Sequence, residues 1–281
     1  MYWDYIAAVK SSTPTLTHVI LSQGREGIRA VTSLGNDLFV ARYNSERVEV
    51  YDTVTLSLQR HLTVPGLGEW TCVLAACRNN NCLYASDYAQ DRVHRVELSG
   101  SNAVKNWPVA RCPAGLSVNI ERNLIVVCSL ANKIQEYTTH GSAVREISLQ
   151  PGVTSPWHAI QLSTGDYVVS QCTLPGVVSV VGEDGQVVHS YGQSHTSDVG
   201  QMKYPRSLAV TRNDDIFVAD EDNNRILSIN SSLGSVLELT LSADGGIQLP
   251  RGLCLDESRG RLYVGEWSGE NRVLVFDSIY V

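Results

Sequence analysis

A short β-rich run that ends in a small residue recurs six times along this chain. The copies are Leu38-Phe39-Val40-Ala41, Cys82-Leu83-Tyr84-Ala85, Ile125-Val126-Val127-Cys128, Tyr167-Val168-Val169-Ser170, Ile216-Phe217-Val218-Ala219 and Leu262-Tyr263-Val264-Gly265. Small side chains in the last column imply a strand that a neighbouring backbone approaches closely. A basic residue then precedes a second β-branched run, at Arg47-Val48, Arg92-Val93, Lys133-Ile134, Arg225-Ile226 and Arg272-Val273, in steps of 45, 41, 92 and 47 residues. The step of 92 is two periods of 46, and the fourth copy breaks the rule with Leu174-Pro175-Gly176-Val177. Units of about 40–50 residues cannot bury their apolar faces alone and must stack, and four strands per unit is the arrangement of a propeller blade.

Turns fall where four-stranded meanders need them. Gly35-Asn36-Asp37, Asn79-Asn80-Asn81, Thr164-Gly165-Asp166 and Asn213-Asp214-Asp215 read as turns between strands a and b of their repeats. Gly100-Ser101-Asn102, His140-Gly141-Ser142 and Glu183-Asp184-Gly185 read as turns between strands c and d. Asn, Asp and Gly tolerate the positive φ angles of tight hairpins. No sustained helical periodicity is present, so the fold class is all-β, a six-bladed β-propeller. The sixth repeat lacks a fourth strand, while Thr17-His18-Val19-Ile20-Leu21 stands spare before the first. Pairing the two closes the ring and removes exposed edges. Residues 1–16 are then an N-terminal extension or linker, and residues 17–281 form the propeller.

Composition narrows the function classes. The chain is 43% hydrophobic and 18% charged, as in soluble globular proteins. Apolar runs such as Val177-Val178-Ser179-Val180-Val181 are strand-length, far short of a membrane span. A net charge of −7 argues against nucleic acid, whose binding draws most of its affinity from neutralised phosphates. Met1-Tyr2-Trp3-Asp4-Tyr5 does not resemble a secretory signal, and seven cysteines are an odd number spread thinly. A reduced, cytoplasmic monomer is expected. Cys77 and Cys82 flank a turn at disulfide-compatible distance, with two reduced thiols the favoured reading. Asn230-Ser231-Ser232 fits a glycosylation acceptor but reads better as a turn, and Asn223, Asn224 and Asn271 read as turn formers.

Two repeats carry a family resemblance. Tyr204-Pro205-Arg206-Ser207-Leu208-Ala209-Val210 leads to Ala219-Asp220-Glu221-Asp222-Asn223-Asn224-Arg225-Ile226. Leu249-Pro250-Arg251-Gly252-Leu253 leads to Val264-Gly265-Glu266 and Asn271-Arg272-Val273. These segments resemble the NHL repeat, and Gly192 to Gln201 resembles the glycine-containing loop that often precedes one. The resemblance implies a six-bladed propeller, commonly the substrate-binding part of tripartite-motif ubiquitin ligases. Relatives include scaffolds, RNA-binding regulators and a few enzymes, among them an amidating lyase. No RING, B-box or coiled coil is present, so ligase activity itself is not expected here. Fold alone does not choose among the rest.

In a propeller the loop leading into strand a and the loop joining strands b and c open on one face. Aligning the Pro-Arg motif places Ile28, Trp70, Ala114, Trp157, Arg206 and Arg251 in one column around the channel mouth. The next column reads Arg29, Thr71, Gly115, His158, Ser207 and Gly252, and Tyr43, Tyr88 and Trp267 follow strand b at equivalent rim positions. Trp, Tyr and Arg dominate binding hot spots, and an arginine pair can hold a carboxylate or phosphate by bidentate hydrogen bonds. The candidate ligand-binding residues are therefore Trp70, Trp157, His158, Arg206, Arg251, Arg29, Tyr43, Tyr88 and Trp267. In the competing reading, Arg206 and Arg251 brace blades by pairing with Asp220, Glu221 or Glu266, and the tryptophans simply pack between blades. The other histidines, His18, His61, His94, His140, His189 and His195, fall on outer strands or loops in this alignment. His158 alone cannot build a histidine-rich metal site, and the leading loops offer only Glu69 for a calcium site. No catalytic residue, metal or cofactor is expected. The favoured function is a protein- or peptide-binding module whose partner carries an acidic group. Single-stranded RNA binding and small-molecule hydrolase or lyase chemistry in the channel are the alternatives.

Overall fold

The computed structural model describes residues 14–21, 26–67, 71–100, 102–192, 201–234, 236–239 and 246–279. They form six four-stranded antiparallel sheets, one per repeat. Blade one holds β2 (Ile28–Leu34), β3 (Asp37–Arg42), β4 (Arg47–Asp52) and β5 (Leu58–Thr63). Blade two holds β6 (Thr71–Cys77), β7 (Cys82–Asp87), β8 (Arg92–Glu97) and β9 (Val104–Pro108). Blade three runs through β10 (Pro113–Val118), β11 (Leu124–Cys128), β12 (Lys133–Tyr137) and β13 (Ala143–Ser148). Blade four has β14 (Pro156–Gln161), β15 (Tyr167–Gln171), β16 (Val177–Val181) and β17 (Val187–Tyr191). Blade five has β18 (Pro205–Val210), β19 (Ile216–Asp220), β20 (Arg225–Ile229) and β21 (Val236–Glu238). Blade six takes β22 (Pro250–Asp256), β23 (Arg261–Glu266) and β24 (Val273–Asp277), and its outer strand is β1 (Thr15–Ile20). The ring closes through that N-terminal strand, two residues earlier than the spare run suggests.

The core lies between blades. Six apolar clusters are buried, one at each blade-to-blade interface. Successive side chains of a strand point to opposite faces, and in β11 this splits the run between two neighbours. Val126 packs toward blade two, while Ile125 and Val127 pack toward blade four. Because both faces are covered, the central strands read as continuous apolar runs without polar alternation. Each buried Val, Ile or Leu contributes roughly 1.5–3 kcal/mol.

Close approach is required where the sequence places small residues. A Cβ on Gly265 would come within 2.6 Å of the Ile28 side chain of the next blade, and one on Gly115 would collide with the Trp157 carbonyl oxygen. The register shows that the small column is Ala41, Ser86, Val127, Ser170, Ala219 and Gly265, so Ala85 and Cys128 are each displaced by one position. Val127 is the larger exception, and it pairs with Gly115.

The cysteine and turn readings resolve simply. Cys77 and Cys82 are directly paired in register, buried and unbonded to each other. Asn230 lies between β20 and β21, in the c–d turn. Asn224 and Asn271 take left-handed φ of 54° and 50°, and the Asn223 amide donates to Asp220 Oδ2.

Candidate functional site

All six pairings of an innermost strand with its neighbour shift register immediately after their first residue. A bulge re-aims the side chain that it carries, and among the residues so placed Arg29, Trp157 and Arg251 line the channel. By that register the column is Arg29, Ala114, Trp157, Arg206 and Arg251 in blades one, three, four, five and six. The alignment drawn from sequence is therefore corrected in the first repeat, where Arg29 replaces Ile28. Trp70 and Glu69 lie outside the described residues. Ile28 is instead a fully buried core residue between blades six and one. Leading into four of these strands, Cys112, Ser155, Tyr204 and Leu249 sit just before a proline with φ between 43° and 59°. Residues before proline ordinarily prefer extended backbone, so the loops at this rim are held in a sparsely populated conformation.

Hydrogen bonds from the end of strand b hold those loops. Asp220 Oδ1 accepts from the Lys203 N–H at 2.6 Å, while its Oδ2 accepts from Arg225 Nε at 2.7 Å. Glu266 repeats the pattern with the Gln248 N–H at 2.8 Å and Arg272 at 2.7 Å. Burial pushes both carboxyls above their ordinary pKa, against the lowering by those partners. In blade four Gln171 takes the acid's place, accepting from the Thr154 N–H at 2.7 Å and donating to Ser179 Oγ at 2.8 Å. That neutral substitute explains why blade four dispenses with the basic residue, whose position Val177 fills opposite Gln171. Blade one inverts the pair, with Arg42 on strand b and Glu49 on strand c at 2.8 Å. The acids named as partners for the mouth arginines thus divide: Asp220 and Glu266 serve the loops, and Glu221 alone serves Arg206 and Arg251.

The residue after strand b forms a second column: Tyr43, Tyr88, Ser129, Cys172, Glu221 and Trp267. The two columns interlock. Arg29 lies 4.8 Å from the Tyr43 ring of its own blade and 4.7 Å from the Trp267 ring of blade six. Arg251 lies 4.0 Å from Trp267 and donates through Nε to Glu221 Oε1 at 2.8 Å. Arg206 donates through Nε to Glu221 Oε2 and stacks 4.2 Å from Trp157. Trp157 meets the Tyr88 ring of blade two at 6.4 Å, and the blade between them carries only Ala114 in the inner column. Tyr43 and Trp267 touch edge to face at 5.3 Å. The result is an arc of guanidinium and aromatic groups across blades four, five, six and one, with Glu221 joining its two central arginines. Each cation–π contact contributes ~0.5–2 kcal/mol, more where water is excluded. Burial lowers the Arg251 pKa to about 10, with Glu221 opposing the shift, so the group stays charged at neutral pH.

His158 does not belong to that arc. It is 6% exposed, and its Nδ1 accepts from the Leu208 N–H of blade five at 3.0 Å. Its Nε2 then donates to the Leu116 carbonyl of blade three at 2.9 Å. Burial lowers its pKa to about 4, which fits a neutral ring bridging three blades. His94, expected on an outer strand or loop, is buried in β8 of blade two.

Below the mouth the channel encloses about 260 Å³, smaller than the ~300–1,000 Å³ of most small-molecule sites. Val31, Leu74, Leu116, Leu208 and Leu253 are among its wall residues. Among the described residues no group of three or more His, Cys, Asp and Glu side chains could hold a metal ion. No described helix is long and apolar enough to cross a membrane.

Residues 202–227, the fifth repeat, match the family model of the NHL repeat. The chain is a six-bladed β-propeller whose fifth blade carries an NHL repeat. No curated protein matches its sequence. Solved structures share the propeller architecture at low identity. A streptogramin B lyase superposes with a TM-score of 0.68 at 10% identity, covering 92% of this chain and 96% of that one. Hydrazine synthase from Kuenenia stuttgartiensis gives 0.66 at 14% identity, covering 99% and 100%. Virginiamycin B lyase from Staphylococcus aureus gives 0.63 at 13% identity, covering 93% and 88%. At such identities the likeness speaks for the fold alone.

Proposed function

We propose that this NHL propeller is a docking module that binds a protein or peptide segment on its channel-mouth face. The observation that carries this reading is the arc of Trp157, Arg206, Arg251, Trp267, Arg29 and Tyr43 over four successive blades. These residue types supply most binding energy at protein interfaces. Here they are braced by one another, which lowers the ordering cost of binding. The test is capture of binding proteins by the intact chain and by its Trp157→Ala and Trp267→Ala variants. Loss of capture with an unchanged melting temperature supports the reading, and undiminished capture by both variants removes it.

A second reading rests on the two lyases among the structural neighbours: small-molecule chemistry at the mouth. Such chemistry needs a group placed to take or give a proton. His158, the histidine in the channel wall, has both ring nitrogens bonded to backbone. Turnover of a streptogramin by the purified protein would favour this reading over docking.

A further inference from the structure

Two guanidinium groups share one carboxylate at the mouth. Glu221 takes Arg206 Nε, Arg251 Nε and one terminal nitrogen of Arg251. Both terminal nitrogens of Arg206 and the other of Arg251 make no hydrogen bond among the described residues. These side chains keep 17% and 11% of their surface in water, while Glu221 keeps 4%. Around Glu221, two cations against one buried anion leave a surplus of one positive charge, and Arg29 shares the Trp267 ring with Arg251. Asp222 and Lys203 are exposed on the adjoining loops, joined by the hydrogen bond from the Asp222 N–H to the Lys203 carbonyl, and offset each other. Trp157 and Trp267 wall the two arginines on either side.

We propose that the mouth takes an acidic peptide, whose carboxylate lies across the outward nitrogens of Arg206 and Arg251 with a neighbouring apolar side chain against Trp157. This rests on the docking reading above and names its ligand. A planar fork of N–H donors matches a carboxylate edge-on. The surplus at the Glu221 cluster is small and sits on a protein of net charge −7, which suits a single carboxylate and disfavours a polyanion such as RNA. The carboxylate comes from an Asp or Glu residue within the peptide or from the peptide's own C-terminus.

The experiment selects displayed random peptides on the intact protein, in one library with a free C-terminus and one with it blocked. Enriched sequences sharing an Asp or Glu in both libraries assign the carboxylate to that residue, and enrichment confined to the free-end library assigns a C-terminus. A synthetic copy of the best peptide, with that carboxylate changed to an amide, is expected to bind at least tenfold more weakly. Arg206→Gln should weaken the acidic peptide by a similar factor and leave the amide version unchanged. Arg206→Lys, which keeps the charge and loses the fork, should fall between. Peptides that need Trp157 but no carboxylate would overturn the acidic ligand and leave the docking reading standing. Absence of enrichment, or binding indifferent to both Arg206→Gln and Trp157→Ala, would overturn both. Displacement of the peptide by an oligouridylate that binds more tightly would assign the face to RNA and overturn this proposal.

Discussion

Glu221 of blade five accepts a 2.8 Å hydrogen bond from Arg251 Nε of blade six, while Arg206 of its own blade holds its second oxygen. One buried carboxylate thereby ties two blades together and spaces two guanidinium groups at the channel mouth. Glu221→Gln keeps the shape and removes the charge, leaving two cations facing each other with little water. A loss of about 2–4 kcal/mol is expected, as when one member of a buried ionic network is removed. Urea unfolding of the variant against the wild type measures it. A change within a few tenths of a kcal/mol would show that the arginines relax into solvent.

The histidine bridge gives the propeller an acid sensitivity. His158 has its pKa lowered to about 4 by burial, against an ordinary 6.5. Between those values the unfolded protein binds a proton that the folded protein refuses, so stability rises with pH there. It is complete above pH 6.5 and falls by roughly 1.4 kcal/mol per pH unit as the solution is acidified toward 4. His94, also lowered by burial, adds in the same direction. His158→Gln should be less stable than wild type at pH 7.5 yet lose less on going to pH 5. Equal losses in the two proteins would place the sensitivity elsewhere.

Blade four tests the logic of the loop-holding acids. Gln171 and Val177 are cross-strand partners, as are Asp220 and Arg225 in blade five. Gln171→Asp buries a carboxylate with no cation beside it and should cost ~1–3 kcal/mol. Adding Val177→Arg supplies the missing cation and should recover at least half of that loss. Additive damage in the double variant would mean that the two positions do not couple.

Ring closure is the fourth structural expectation. Removing residues 1–21 deletes β1 and leaves β24, whose Val273, Leu274, Val275 and Phe276 are fully buried, as an unpaired edge. Unpaired apolar edges pair with other molecules. The truncated protein should melt well below the full-length one and gain mass with concentration in light scattering. An unaltered, monodisperse monomer would show that the sixth blade stands on three strands.

The blades themselves are legible in the sequence, because each central strand is buried on both faces and repeats its apolar run at one register. Closure by the N-terminal strand is legible for the complementary reason, a missing strand at one end and a spare one at the other. The mouth column is less so. The bulge after the first residue of each inner strand leaves no trace where Pro-Arg is absent, so Ile28 stands in for Arg29. Sequence marks Glu221 only as one of three acids able to pair with the arginines; Asp220 and Glu266 look equivalent to it until the loop N–H groups that they accept from are seen. The role of His158 is hidden because both of its partners, Leu116 and Leu208, are backbone groups of neighbouring blades.

The most direct test of the docking face is amide hydrogen exchange on the intact protein, with and without a saturating captured partner. Slowed exchange is expected in the loops at 26–29, 154–157, 201–206, 221–224, 246–251 and 267–271, which surround the arc. The a–b turns on the opposite face, such as 119–123 and 211–215, should exchange unchanged. Protection confined to those opposite turns, or to the outer strands, would contradict a docking site at the channel mouth.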